Sequence, residues 1–273
     1  MRLDEAVYTV FDVETTGLFP YAGDRICEIG AVRMEPGSPK KIFHSLVDPG
    51  RPVSPRAFEV NGITKRMLDG KPTIEKILPE FLDFVEGSVL VAYNAGFDMG
   101  FVESALAREG ERLGDFTVID ALKLARNLFP GIGRYSLSFV ADSLGFPVDG
   151  QHRALGDAML TVKVFEKELE LLKNQGIEDL KDVSENMRTR KKPLTEDSVP
   201  VLAVIEDAIG EEGVLDITYR SYWNNKTTNR TITPREIRKG YDRSYVVAFC
   251  HMRKEMRNFR LECITEAVKK EGS

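Results

Sequence analysis

Tyr8-Thr9-Val10-Phe11-Asp12-Val13-Glu14-Thr15-Thr16-Gly17-Leu18 is an apolar run that ends in two acids, two hydroxyls and a glycine. Apolar residues flank Asp12 almost without a break, so the run reads as a strand buried on both faces. Two carboxylates are costly to place there unless something compensates them. Residues two apart on a strand face the same way, roughly 6 to 7 Å apart along the chain, so Asp12 and Glu14 can flank one site. A divalent cation held by hard oxygen ligands would supply the compensation. From this stretch alone, an edge strand with its acids turned to water stays open.

Working outward, Arg25 to Met34 alternates apolar and polar residues and Lys41 to Val47 reads as a third strand, which predicts an antiparallel meander. Pro49, Pro52 and Pro55 read as a stiffened loop, and Asn61-Gly62-Ile63-Thr64 leads into a short helix capped by Thr64. A helix follows over Thr73 to Glu86, then a short apolar strand from Val89 to Tyr93. Asn94 is placed to cap the next helix, whose first turn carries Asp98, a position that the helix dipole favours for any acid. Further elements are a strand at Thr117 to Asp120, a helix from Ala121 and a capped helix at Ser136 to Gly145. The long helix from about Arg153 to Asn174 has Leu155, Met159, Val162, Phe165, Leu169 and Leu172 as its expected core face. Asp157 lies in its first turns and His152 just before it. Five residues along a helix turn about 140° from the start, so His152 is expected on the preceding loop, reaching in. The order of elements predicts a mixed sheet with helices on both faces.

The bulk numbers fit two soluble domains. The chain has 273 residues, 42% of them hydrophobic and 30% charged. There is no apolar run of bilayer length, and Met1-Arg2-Leu3-Asp4-Glu5 lacks a basic region followed by an apolar one, so a cytoplasmic location is expected. Cys27, Cys250 and Cys263 are far apart and in no metal-ligand spacing, consistent with free thiols. Residues 1–175 hold 20 basic against 26 acidic residues, whereas residues 199–273 hold 13 against 11. The acidic balance of the first part does not exclude nucleic acid, because carboxylates gathered around metal ions present a locally cationic site.

Taken together, Phe11-Asp12-Val13-Glu14-Thr15-Thr16-Gly17-Leu18, Asn94-Ala95-Gly96-Phe97-Asp98 and His152-Arg153-Ala154-Leu155-Gly156-Asp157-Ala158 resemble the three motifs of the DEDDh exonuclease family. That family includes the proofreading epsilon subunits and exonuclease domains of bacterial DNA polymerase III, and ribonuclease T. The resemblance covers roughly residues 6 to 173 and includes Asn61-Gly62-Ile63-Thr64, where many members have histidine in place of Asn61. The sister branch carries tyrosine four residues before the last aspartate; here that position is Arg153, which fits the histidine branch.

The resemblance implies a ribonuclease H-like α/β fold and a metal-dependent 3′-to-5′ exonuclease acting on a nucleic acid with a free 3′ end, DNA being favoured over RNA. It implies two Mg²⁺ or Mn²⁺ ions, held by Asp12, Glu14 and Asp157 with Asp98 completing the second site, and His152 as general base. Two cations about 3.5 to 4 Å apart activate water and stabilise the leaving 3′ oxygen, and an imidazole is suited to take the proton. Thr15, Asn94 and Phe97 are implied to contact the terminal nucleotide. A polymerase or repair complex is a further implied partner. The rival of a different class is a regulatory protein that only grips a nucleic-acid end.

Beyond Gly176 the apolar periodicity fades into a charged stretch containing Arg188-Thr189-Arg190-Lys191-Lys192-Pro193, expected to be a linker over 176–198. A helical pattern over Val199 to Ile209 is followed by four strand-like runs: from Leu215, Thr227 to Thr233, Tyr245 to Cys250 and Asn258 to Ile264. Residues 199–273 resemble a WYL domain, a small Sm-like or SH3-like β-barrel, through Ile217-Thr218-Tyr219-Arg220, Arg230-Thr231-Ile232-Thr233-Pro234, Ser244-Tyr245-Val246-Val247-Ala248 and Arg257-Asn258-Phe259-Arg260-Leu261. Ser244 and Val246 stand where tryptophan and leucine are usual. Arg220, Arg230, Arg257 and Arg260 are expected to form a cationic groove for single strands or a nucleotide. The three expected parts are thus an exonuclease domain at 1–175, the linker and the WYL-like domain.

Overall fold

The computed structural model describes residues 1–148, 152–187, 198–220, 227–239 and 244–270, which divide into two compact units. In the first, β1 (Tyr8–Thr15), β2 (Ile26–Met34), β3 (Lys41–Leu46), β4 (Val89–Ala92) and β5 (Val118–Asp120) form one sheet in the order β3-β2-β1-β4-β5. The first three strands run antiparallel, and β4 and β5 continue parallel to β1. β1 is therefore the central strand, as its apolar run requires.

Strand alternation sorts the side chains of β1. Phe11 and Val13 enter a core with α3 (Ile74–Val85) and α4 (Gly96–Arg108), while Tyr8 and Val10 enter a second core with α7 (Ala154–Asn174). Asp12 and Glu14 share the parity of Tyr8 and Val10, so they face α7. Tyr8 meets Phe165 of α7 edge-on at 5.1 Å. The helix begins at the acidic end of β1, against Gly30, which pairs with Asp12 across the sheet. A Cβ built on Gly30 would overlap the backbone of Ala154 and Leu155. Only glycine allows so close a seat.

Several expectations need correction. Pro55 opens a helix, α1 (Pro55–Asn61), in place of stiffening a loop: proline suits a first helical position, and the Ser54 side chain accepts from Ala57 N at 3.2 Å. Thr64 does cap α2 (Lys65–Leu68). Asn94 does not cap α4; it adopts a left-handed φ of 73° and Ala95 occupies the cap position. On α7, Met159 is 47% exposed and Glu168 is buried in its stead, because the helix is rotated to bury Ala158, Val162, Phe165 and Leu172. The intervening elements are α5 (Ala121–Leu128) and α6 (Leu137–Ser143).

Part of the stretch expected as linker packs on the first unit. Leu180 and Val183 of α8 (Leu180–Met187) join the second core, and Leu3 N bonds Glu178 O at 2.8 Å. The basic run from Arg188 to Pro193 lies outside the described residues.

In the second unit α9 (Ser198–Gly210) covers a five-stranded antiparallel sheet of β6 (Leu215–Arg220), β7 (Thr227–Lys239), β8 (Ser244–Cys250), β9 (Glu255–Arg260) and β10 (Ile264–Lys269). The run expected over Asn258 to Ile264 covers only the end of β9, a short turn at Leu261–Cys263 and the first residue of β10, a fifth strand that the sequence reading does not expect, and β7 runs past the expected Thr233 to Lys239. The order β10-β6-β7-β8-β9 leaves β9 and β10 unpaired with each other, so this is an open sheet and not the closed barrel expected. Register also divides the four arginines. Arg230 pairs with Ile217 and Arg257 with Ala248, on the face that α9 covers, whereas Arg220 and Arg260 have the opposite parity. A single cationic groove is not what the sheet builds. Among the described residues, no helix is long and apolar enough to cross a membrane.

Candidate active site

Three of the five expected catalytic residues converge. A carboxylate oxygen from each of Asp12, Glu14 and Asp157 lies within 4.8 Å of the others. β1 supplies two of them by its two-residue repeat, and the seat of α7 on Gly30 brings the third. Burial pushes all three carboxyls up. Next in effect on Asp12 are the charges of Asp98 and Glu14; on Glu14, raised to about 7, those of Asp157 and Glu28. Such a cluster favours a cation, and its donors are all hard oxygens, which suit a divalent metal ion and not a thiolate-bound zinc.

Asp98 enters from the opposite face. It is 2% exposed, and its Oδ1 accepts from Val13 N at 3.0 Å. β4 pairs with β1 only over Tyr8 to Val10, so this carboxylate takes the backbone donor left where β4 has ended. Asp98 thus stays outside the convergent three while its charge still reaches Asp12.

His152 is on the loop before α7, as expected. Its side chain is 60% exposed, and Nδ1 is 3.4 Å from Asp157 Oδ2. At the positions implied to hold a nucleotide, the structure shows local contacts. Thr15 Oγ1 donates to Gly17 O at 2.6 Å, shaping the turn after β1. Asn94 N donates to Asp120 Oδ1 at 3.2 Å, and Phe97 packs on Phe101 with centroids 5.0 Å apart.

Sequence reasoning named Asn61 without giving it a role and missed Glu28. Asn61, at the end of α1, donates to Thr15 O at 3.3 Å and accepts from Ile63 N at 3.0 Å, tying its loop to the end of β1. Glu28 sits opposite Glu14 on β2 and receives donors from His44, Arg153 and Ala154. Burial raises its carboxyl, but the hydrogen bonds from Arg153 and His44 outweigh that and hold it below the usual range. The signal was available: a lone acid in an otherwise apolar strand, Ile26-Cys27-Glu28-Ile29, beside the acidic one.

Comparison with known proteins agrees with this geometry. Residues 9–165 match the family described as Exonuclease, and residues 200–269 match the WYL domain. The DNA polymerase III subunit epsilon of Aquifex aeolicus is 39% identical over 171 residues, covering 63% of this chain and 84% of that protein. The PolC-type DNA polymerase III of Clostridium perfringens is 39% identical over 192 residues, 68% of this chain, but the chain spans only 13% of that polymerase's length. Among solved structures, Exonuclease X in complex with 5′ overhanging duplex DNA is 31% identical with a TM-score of 0.52, covering 66% of this chain and 99% of that one. Sheet order, convergent acids and these matches lead to one conclusion: the chain belongs to the exonuclease family, with a WYL domain following its exonuclease domain.

Proposed function

We propose that the protein is a metal-dependent 3′-to-5′ exonuclease that releases nucleotides from the free 3′ end of DNA. The observation that carries this reading is the convergence of Asp12, Glu14 and Asp157 within 4.8 Å, with the His152 imidazole beside Asp157. Asp12, Glu14 and Asp157 would hold Mg²⁺ or Mn²⁺, with Asp98 supporting a second ion. Bound there, such ions supply an activated water and neutralise charge developing at the scissile phosphate. His152 takes the proton from the attacking water on its ring nitrogen, and its exposure lets it reach a water at the mouth of the site. Asp98 holds the end of β1, between Asp12 and Glu14, by accepting from Val13 N. DNA is favoured because the similar proteins are named as DNA polymerase III components and an exonuclease bound to duplex DNA.

The exonuclease domain is proposed to extend through α8, with the linker following it, and a DNA polymerase or repair complex is the proposed setting. The test uses purified protein with matched 5′-labelled single strands of DNA and RNA, with Mg²⁺, Mn²⁺ or chelator, and Asp157→Ala alongside. A DNA ladder shortening from the 3′ end, absent with chelator and in the variant, is expected. Faster loss of RNA would change the substrate, and binding without cleavage would leave a regulatory protein.

A further inference from the structure

Glu28 is an acid at the site that the ligand set does not use. Its side chain is 1% exposed, and four donors converge on it. His44 Nε2 donates at 2.7 Å, Arg153 Nε at 2.8 Å, Arg153 Nη2 at 2.6 Å and Ala154 N at 3.2 Å. The two bonds from Arg153 go to different carboxylate oxygens, a fork that fixes orientation as well as distance.

This pair is not needed to seat α7. Gly30 already admits the helix backbone, and Ala154 N already reaches Glu28. A buried ion pair is also a weak source of net stability, since desolvation offsets most of its attraction. What does need a tether is the residue before Arg153. His152 is exposed, and 3.4 Å to Asp157 lies beyond ordinary N–H···O distance, so the imidazole contributes little to its own placement. Arg153 has extended backbone, φ −144° and ψ 132°, and stands between that imidazole and the first turn of α7.

We infer that Arg153 is the positioning residue of His152: the buried Glu28 carboxylate grips its guanidinium, and the extended peptide thereby carries the imidazole beside Asp157. The kinetic part rests on the exonuclease reading above; the placement does not.

The test centres on Arg153→Lys, which keeps the charge over Glu28 but cannot form the fork. With DNA substrate, Arg153→Lys is expected to lower kcat about 10- to 100-fold while KM stays within about threefold. In a His152→Ala background the same substitution is expected to add less than about twofold, because the group it positions is gone. Equal losses in both backgrounds would overturn the inference and assign Arg153 to α7 or Asp157. A second readout needs no activity. The chain has three histidines, so their imidazole NMR signals are assignable with His152→Ala. In Arg153→Lys the His152 signal is expected to shift and narrow while that of His251 stays in place. An unmoved His152 signal would overturn the inference even in an inactive protein, whereas a wild type that cleaves nothing while the signal moves removes the exonuclease reading alone.

Discussion

Asp12 and Glu14 stand on a central strand, where carboxylates are a liability unless a cation compensates them, and in the proposed function they are ligands of that cation. Substituting Asp12 or Asp157 with alanine is expected to abolish DNA cleavage in the gel assay. The same variants, free of metal, are expected to melt no lower than wild type, since removing one acid relieves repulsion among the others. His152→Ala is expected to cost about 10² to 10⁴ in rate and to spare metal binding measured by calorimetry. An unchanged rate would remove His152 from the mechanism. Glu168 behaves differently. It is fully buried on α7, and neither carboxylate oxygen has a hydrogen-bond partner. Burial holds this carboxyl well above its usual range, with Asp120 adding to the effect. Glu168→Met is expected to stabilise the fold by about 1–3 kcal/mol at pH 8 and by less at pH 5, where the acid is neutral, as chemical denaturation would show.

At the level of elements, the site depends on how α7 meets the sheet. Gly30 is the contact point, and its neighbours there are backbone atoms that cannot turn aside. Gly30→Ala is therefore expected to cost about 1–3 kcal/mol in denaturant unfolding and to reduce cleavage further, by moving Asp157 away from Asp12 and Glu14. α8 matters in a second way. A chain ending at Asn174 would lose Leu180 and Val183 from the core, so it is expected to melt below a chain ending at Met187. Equal melting temperatures would return the linker boundary to residue 176.

Over the whole molecule, the raised carboxyls set how stability follows pH. Glu14 is raised to about 7, and Asp12, Asp98, Asp157 and Glu168 are raised as well, in each case with burial as the largest cause. An acid with a raised folded-state value binds more protons folded than unfolded, so its contribution is full below the ordinary range near about 4 and is lost as pH rises through the folded value. Protein in chelator is expected to lose thermal stability from pH 5 to pH 8, with Glu14 titrating out near the top of that span. Mg²⁺ at pH 8 is expected to restore it, because a cation replaces the protons that the cluster would otherwise keep. A flat melting profile in chelator would contradict the cluster as described.

β1, the meander and the two-faced sheet can be read along the chain, because apolar periodicity and element order are local properties, whereas the acids at 12, 14, 98 and 157 and the histidine at 152 are singled out as a set by the resemblance of their motifs. The helix of the second unit and its first strands are legible in the same way, but β7 runs on to Lys239, β9 begins earlier at Glu255, and β10 lies almost wholly beyond the expected runs. Which side chains meet depends on how the elements pack. The rotation of α7 that buries Glu168 and exposes Met159 follows from its seat on Gly30, and no local pattern records that contact. Pro55 is a different case: Ser54-Pro55 is a local cap and first-turn signal that the sequence reading passed over. The arginines of the second unit look like one patch in a list, yet strand register puts them on two faces. Glu28 and Arg153 are 125 residues apart, and their pairing exists only because β2 and the start of α7 share one face of the sheet.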